Sequence, residues 1–272
     1  MSIHKEINKK ITTLQLKKMK QSGEKISVLT AYDFTMAKII DEAEIDAIIV
    51  GDSASNTMMG NSTTLSISLD QMINYATSVV NGAKRALIIV DMPFGTVSGD
   101  PLNSLNSAIR VMRETGADAI KIEGGSEMKE DIKKIIDAGI PVMVHLGLMP
   151  QSINKYGTYA VRGKEKKEAE KLLDDCILME KLGAFGILLE KIPASLARKI
   201  SSHISIPTIG IGAGSGTDGQ VLVIQDIMGM NKDFSPKFLR RYADLHTIMT
   251  EATKNYINDV KSENFPNENE SY

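Results

Sequence analysis

The sequence predicts a (β/α)8 barrel, and three observations carry that expectation. Eight short runs rich in Ile, Val and Leu recur over about 200 residues, and helix-like segments lie between them. The runs are apolar throughout rather than alternating, as in parallel strands covered on both faces. Repeated strand–helix units of this number close into a barrel. A doubly wound open sheet is the alternative arrangement of the same units.

The elements follow in order. The lysine-rich stretch 1–25, "MSIHKEINKKITTLQLKKMKQSGEK", reads as an amphipathic helix with a solvated lysine face, suited to plug the barrel bottom. Strands are expected at "KISVLTAYD" (25–33), "DAIIVGDS" (46–53), "ALIIVDMPFG" (86–95) and "DAIKIEGG" (118–125). Four more follow at "IPVMVHLG" (140–147), "FGILLEKIP" (185–193), "IPTIGIGAG" (206–214) and "QVLVIQD" (220–226). The intervening helices include "TMAKIIDEA", "LDQMINYATSVVNGA", "SLNSAIRVMRETGA", "EMKEDIKKIIDAGI" and "KEAEKLLDDCILMEKLGA". Several end in Gly-Ala or Ala-Gly, where glycine can close the helix before the next strand. One domain is expected over 1–262, and the polar tail 263–272 is expected to be disordered.

Composition removes several functional classes. The chain has 272 residues, 42% hydrophobic and 24% charged, enough to bury roughly three quarters of its unfolded surface. A net charge of −2 and a pI near 6.1 argue against nucleic acid and favour a small-molecule partner. No apolar stretch is long enough for a membrane span, and the N-terminus has neither an apolar signal core nor the arginines of a transit peptide. The single cysteine, Cys176, excludes an internal disulfide framework and reads as helix packing, so a reducing, cytoplasmic setting is expected.

In a parallel barrel the carboxyl ends of the strands converge on one rim. The rim here would receive Asp33, Asp52, Ser53, Asp91, Lys121, Glu123, His145, Glu190 and the loop "GIGAGSG". Asp33 could equally cap the next helix, and Asp226 is assigned to capping. Asp52 and Asp91 end adjacent strands, and two close carboxylates repel unless a proton or cation lies between them. Oxygen ligands favour Mg²⁺ over Zn²⁺, with Glu123 completing the shell directly or through water. Strand alternation puts Lys121 beside Glu123, as an internal salt bridge, a counter-charge for an anionic substrate or a Schiff-base lysine. His145 is either a hydrogen-bonded rim residue or a substrate contact. Glu190 ends an apolar run across the ring, where an isolated carboxylate would be pushed up by desolvation and could serve as a general base. The glycine loop could cradle a phosphate or merely turn the chain.

"TAYDFTMAKI", "VGDSASNTMMG", "DMPFG", "KIEGG", "HLGLMPQS", "GTYAVRG", "LLEKIP" and "IPTIGIGAGSGTDGQVLVIQD" together resemble the ketopantoate hydroxymethyltransferase family, in order from about residue 26 to 240. Met149 stands where the family more often has Thr, and Lys191-Ile192 where it usually has Cys-Val or a similar pair. The resemblance implies Mg²⁺-dependent transfer of a one-carbon unit from 5,10-methylenetetrahydrofolate to 3-methyl-2-oxobutanoate, giving 2-dehydropantoate in the pantothenate pathway. It implies that Asp52 and Asp91 bind the metal that the ketoacid chelates, with Glu123 in its shell. It also implies that Ser53 and Lys121 hold the substrate carboxylate and that Glu190 accepts the proton. A homo-oligomer is expected, a decamer by resemblance. The rival enzyme reading is another Mg²⁺-enolate barrel of the phosphoenolpyruvate mutase or isocitrate lyase kind, whose members commonly carry an active-site-loop cysteine. The rival of another class is a barrel that has lost activity and serves as a binding or assembly module.

Overall fold

A computed structural model describes residues 9–272, so the first eight residues of the expected N-terminal helix lie outside the described chain. The strands are β1 (Ile26–Thr30), β2 (Ala47–Val50), β3 (Leu87–Asp91), β4 (Ala119–Glu123), β5 (Val142–Gly147), β6 (Gly186–Glu190), β7 (Thr208–Ile211) and β8 (Gly219–Leu222). They close into one barrel in sequence order, every neighbouring pair parallel and β8 returning to β1. The helices are α1 (Thr13–Ser22), α2 (Phe34–Glu42), α3 (Ala54–Thr57), α4 (Leu69–Gly82), α5 (Pro101–Thr115), α6 (Lys129–Asp137), α7 (Ile153–Tyr156), α8 (Lys166–Leu182), α9 (Ala194–His203), α10 (Ile224–Ile227) and α11 (Leu245–Lys261).

Local chemistry explains most boundaries. Ser68 and Gln71 form a reciprocal capping box on α4, and Asp100 caps α5 just before Pro101. Gly116 and Gly183 close α5 and α8 in the left-handed conformation, as the Gly-Ala endings suggested. The chain departs from expectation at the last two units. No helix joins β7 to β8; the glycine loop and Thr217 make that connection. The apolar run expected as a strand to 226 ends at Leu222, and its second half becomes α10. Asp226 therefore lies inside a short helix instead of capping one, and burial pushes its carboxyl up to about 6.

The chain divides into two compact units, the first ending at Leu222 and the second running from Val223 to Tyr272. In the first, Ile26, Val28, Ile49, Leu87, Ile89, Ala119, Met143, Leu188, Ile209 and Val221 point into the barrel and form one cluster with Ile11, Leu16 and Met19. Helix α1 is thus the expected bottom plug, with Leu16 fully buried. Burying side chains of this size stabilises by about 1.5–3 kcal/mol each. In the second unit no residue of α11 is buried, and the tail carries a single turn at Glu268–Glu270 begun by Asn267. Among the described residues no helix is long and apolar enough to cross a membrane.

Candidate active site

The interior cluster sets the position of the site by the two-residue period of a strand. Two residues beyond Ile89 comes Asp91, beyond Ala119 comes Lys121, beyond Met143 comes His145, and beyond Leu188 comes Glu190. Polar side chains thus replace apolar ones on the same inward face, one layer nearer the rim. Strand register then sets them side by side, with Asp91 opposite Lys121 and Glu123 opposite His145.

All seven expected site residues lie on this rim, and named contacts connect six of them. The Asp52 backbone N–H donates to Asp91 Oδ2 at 3.1 Å. Glycine precedes it because a Cβ at position 51 would stand 2.6 Å from Ser53 Oγ. Lys121 Nζ lies 3.1 Å from Asp91 Oδ2 and 3.2 Å from His145 Nδ1. His145 reaches two carboxylates, with Nδ1 3.3 Å from Glu123 Oε1 and Nε2 3.3 Å from Glu190 Oε2. Glu190 is therefore not the isolated carboxylate expected, because an imidazole from the next strand faces it. Gly147, at φ 98, lets that strand pass: a Cβ there would lie 2.3 Å from the Glu190 carbonyl oxygen. Ser53 stands apart from this chain and pairs with Tyr32.

The electrostatics follow from burial and crowding. Asp52, Asp91, Lys121 and His145 are each at most 5% exposed. Burial, then Glu123 and Asp91, push the Asp52 carboxyl up to about 8. Asp91 is also raised by burial, although Lys121 opposes this. Burial acts to lower the Lys121 ammonium, yet Asp91, Glu123 and Asp52 outweigh it and hold the group well above its ordinary value. Burial and Lys121 likewise act to lower His145, but Glu123 and Glu190 prevail and carry it up to about 9. Burial would raise Glu123, but His145, Lys121 and the Gln151 N–H bring it below the usual range.

Two further side chains touch the candidate residues and have no separate signal in the sequence. Gln151 donates its side-chain amide to Asp52 Oδ2 at 2.8 Å and to the Met92 carbonyl at 3.0 Å, while its backbone N–H reaches Glu123 Oε2 at 2.9 Å. Tyr32, 1% exposed and pushed up to about 12 by burial, lies 2.8 Å from Ser53 Oγ. Ser53 makes no helix-capping bond, so its hydroxyl is held by Tyr32 instead. Both residues lie inside motifs quoted above, "TAYD" and "LMPQS", which were their only signal. Asp33 resolves as the α2 cap, accepting from Met36 N–H at 2.8 Å. Cys176 is buried and its thiol raised, as packing requires.

The residues present fit a hard divalent cation. Asp91 Oδ1 is buried without a hydrogen bond, Glu123 Oε1 faces only the His145 ring nitrogen at 3.3 Å, and burial among neighbouring carboxylates raises Asp52, a crowding that a divalent cation would relieve. Among the described residues no three His, Cys, Asp or Glu side chains form a ready cage. An ion here would draw ligands from water and substrate, as Mg²⁺ commonly does.

A family model described as ketopantoate hydroxymethyltransferase matches residues 10–268. A protein of Flavobacterium johnsoniae named 3-methyl-2-oxobutanoate hydroxymethyltransferase is 61% identical over 272 residues, covering 100% of both chains. One of Bacteroides fragilis with the same name is 62% identical over 264 residues, 97% of each. Among solved structures, phosphonopyruvate hydrolase in complex with oxalate and Mg²⁺ aligns with a TM-score of 0.60 at 12% identity, over 96% of this chain and 93% of its own. A 2,3-dimethylmalate lyase of the PEP mutase/isocitrate lyase superfamily aligns with a TM-score of 0.57 at 15% identity, over 93% and 89%. At such identities the structural likeness speaks to the fold.

Proposed function

Since the chain belongs to the ketopantoate hydroxymethyltransferase family, we propose that its rim deprotonates 3-methyl-2-oxobutanoate at C3 and joins that carbon to a one-carbon unit from 5,10-methylenetetrahydrofolate. The enzyme is a 3-methyl-2-oxobutanoate hydroxymethyltransferase, and its product is 2-dehydropantoate. The observation that supports the site assignment is the crowding of buried carboxylates at the ends of adjacent strands: the Asp52 N–H donates to Asp91 Oδ2 at 3.1 Å, and burial, Glu123 and Asp91 together raise the Asp52 carboxyl to about 8.

Asp52 and Asp91 would hold Mg²⁺, with Glu123 in its shell directly or through water. When bound, that ion supplies a Lewis acid for the negative charge that develops on the keto oxygen. Lys121 and Ser53 bind the substrate carboxylate, Lys121 as counter-charge and Ser53 as donor, its oxygen fixed by Tyr32. Glu190 takes the C3 proton from across the ring. His145 fixes the direction of that carboxylate and, when protonated, offsets the charge gathered among Glu123, Glu190 and the substrate. Gln151 ties Asp52 to Glu123, so the two carboxylates keep their spacing when substrate arrives. The exposed apolar side chains of α11, Ile248, Met249, Tyr256, Ile257 and Val260, support a homo-oligomer, and the lone buried cysteine supports a cytoplasmic setting.

Deuterium incorporation at C3 of 3-methyl-2-oxobutanoate in D₂O, followed by NMR without folate, tests this reading. Exchange that requires added Mg²⁺ is expected. No exchange with enzyme, Mg²⁺ and ketoacid at saturation would overturn it in favour of a non-catalytic barrel.

A further inference from the structure

The residue after Glu190 has an unusual backbone. Among the described residues only Glu44, Lys191 and Glu263 combine a side chain with positive φ, and of these only Lys191, at φ 45, follows a strand end on the rim. Such a conformation persists where the surroundings over-determine it. Here they do so through three hydrogen bonds. The Lys191 N–H donates to the Ile211 carbonyl at 2.8 Å, its carbonyl accepts from Arg162 N–H at 2.9 Å, and its ammonium donates to the Tyr159 carbonyl at 2.5 Å. Two of the three reach one segment, 157–162, whose first four residues are exposed.

That segment belongs to the connection between β5 and α8. Near its start, the same connection sets Gln151 against Asp52 and Glu123. Toward its end, the Arg162 guanidinium stacks 4.2 Å from the centre of the Tyr156 ring and pairs with Glu168. The middle of the connection is tied to the barrel at the residue next to the candidate base.

We propose that Lys191 is a positioning residue that latches segment 157–162 against the carboxyl end of β6, so that the rim beside Glu190 stays closed after the C3 proton has been removed. This rests on the ketoacid reading above. Once Glu190 holds the proton, the carbanion equivalent either takes a proton back or bonds to the one-carbon unit. A closed rim slows the first by excluding water and leaves time for the second.

The test uses the full-length enzyme with Lys191→Met, which keeps the stem and the backbone strain but loses the ammonium, and with Lys191→Arg. Amide hydrogen exchange is read first because it needs no activity. Loss of a charged donor should raise exchange in 157–162 about tenfold in Lys191→Met, with the strands unchanged, and Lys191→Arg should restore protection. The ratio of C3 deuterium exchange to product formation should rise several-fold in Lys191→Met, with exchange itself at or above the wild-type rate. Unchanged protection in Lys191→Met, or protection lost evenly across the barrel, would overturn the latch. So would an unchanged ratio. A wild type that exchanges no C3 proton refutes the parent reading instead, and the amide measurement tells the two failures apart.

Discussion

His145 and Glu190 face each other across the β5–β6 pair, Nε2 to Oε2 at 3.3 Å, while the other ring nitrogen lies 3.3 Å from Glu123. One imidazole thus spans the gap between the candidate base and the candidate metal shell. Its charge depends on both, since the two carboxylates together overcome burial and Lys121 to carry it up to about 9.

Glu190→Gln keeps the shape of the side chain and removes its basicity. Loss of a positioned base typically costs about 10²–10⁴-fold in rate, roughly 3–5 kcal/mol of barrier. C3 deuterium exchange at saturating Mg²⁺ and ketoacid should fall by that factor, with ketoacid binding retained. Exchange at the wild-type rate would pass the role to another group, and His145 would be examined first.

Asp52→Ala and Asp91→Ala should each weaken Mg²⁺ and ketoacid together, because the substrate is proposed to bind through the ion that these carboxylates hold. Calorimetric titration of Mg²⁺ with ketoacid measures this. Binding like that of the wild type in either variant would remove the metal from this pair.

Lys121→Ala should raise KM for the ketoacid far more than it lowers kcat, since a counter-charge serves ground and transition states alike. The substitution also leaves Asp91 without its buried partner at 3.1 Å, and breaking such a pair typically costs about 3–5 kcal/mol of stability. Borohydride reduction with substrate followed by mass spectrometry is expected to find no adduct at Lys121. A covalent adduct there would replace the metal-enolate reading with a Schiff base.

Stability should depend on pH in one direction. Asp52 and His145 are both raised in the folded chain, to about 8 and about 9, so the folded state holds protons that the unfolded chain releases earlier. The stability tied to Asp52 is full below about 4 and lost as pH rises through about 8. That tied to His145 is full below about 6.5 and lost through about 9. Melting temperature without metal should therefore fall from pH 5 to 9. Mg²⁺ would displace the Asp52 proton, so its affinity should rise toward pH 8 with proton release. Titration in buffers of different protonation enthalpy measures that release; a value of zero at pH 6 would contradict the shift assigned to Asp52.

Much of the barrel and most of its rim were legible before any coordinates. Both come from one-dimensional patterns: apolar runs of strand length, and a two-residue period that turns inward-facing Ile89, Ala119, Met143 and Leu188 into Asp91, Lys121, His145 and Glu190 one step on. A parallel barrel sends those strand ends to a common mouth, so their meeting follows from the pattern alone. The end of β8 was not legible, because a short apolar run such as "LVIQD" serves strand and helix equally until its neighbours are placed. Asp33 was open for a similar reason, since helix capping and rim chemistry ask for the same residue type. Tyr32 and Gln151 lay in recognised motifs without a role. Each reaches a candidate residue far away in the chain, Tyr32 at 2.8 Å to Ser53 and Gln151 at 2.8 Å to Asp52, joining residues 21 and 99 positions apart. The pairing of His145 with Glu190, which makes the candidate base part of a chain of polar contacts, likewise depends on side-chain directions. Periodicity assigns a residue to a face, but a hydrogen bond or ion pair needs position to a few tenths of an ångström, and that precision exists only once the strands are in register and the loops have closed over them.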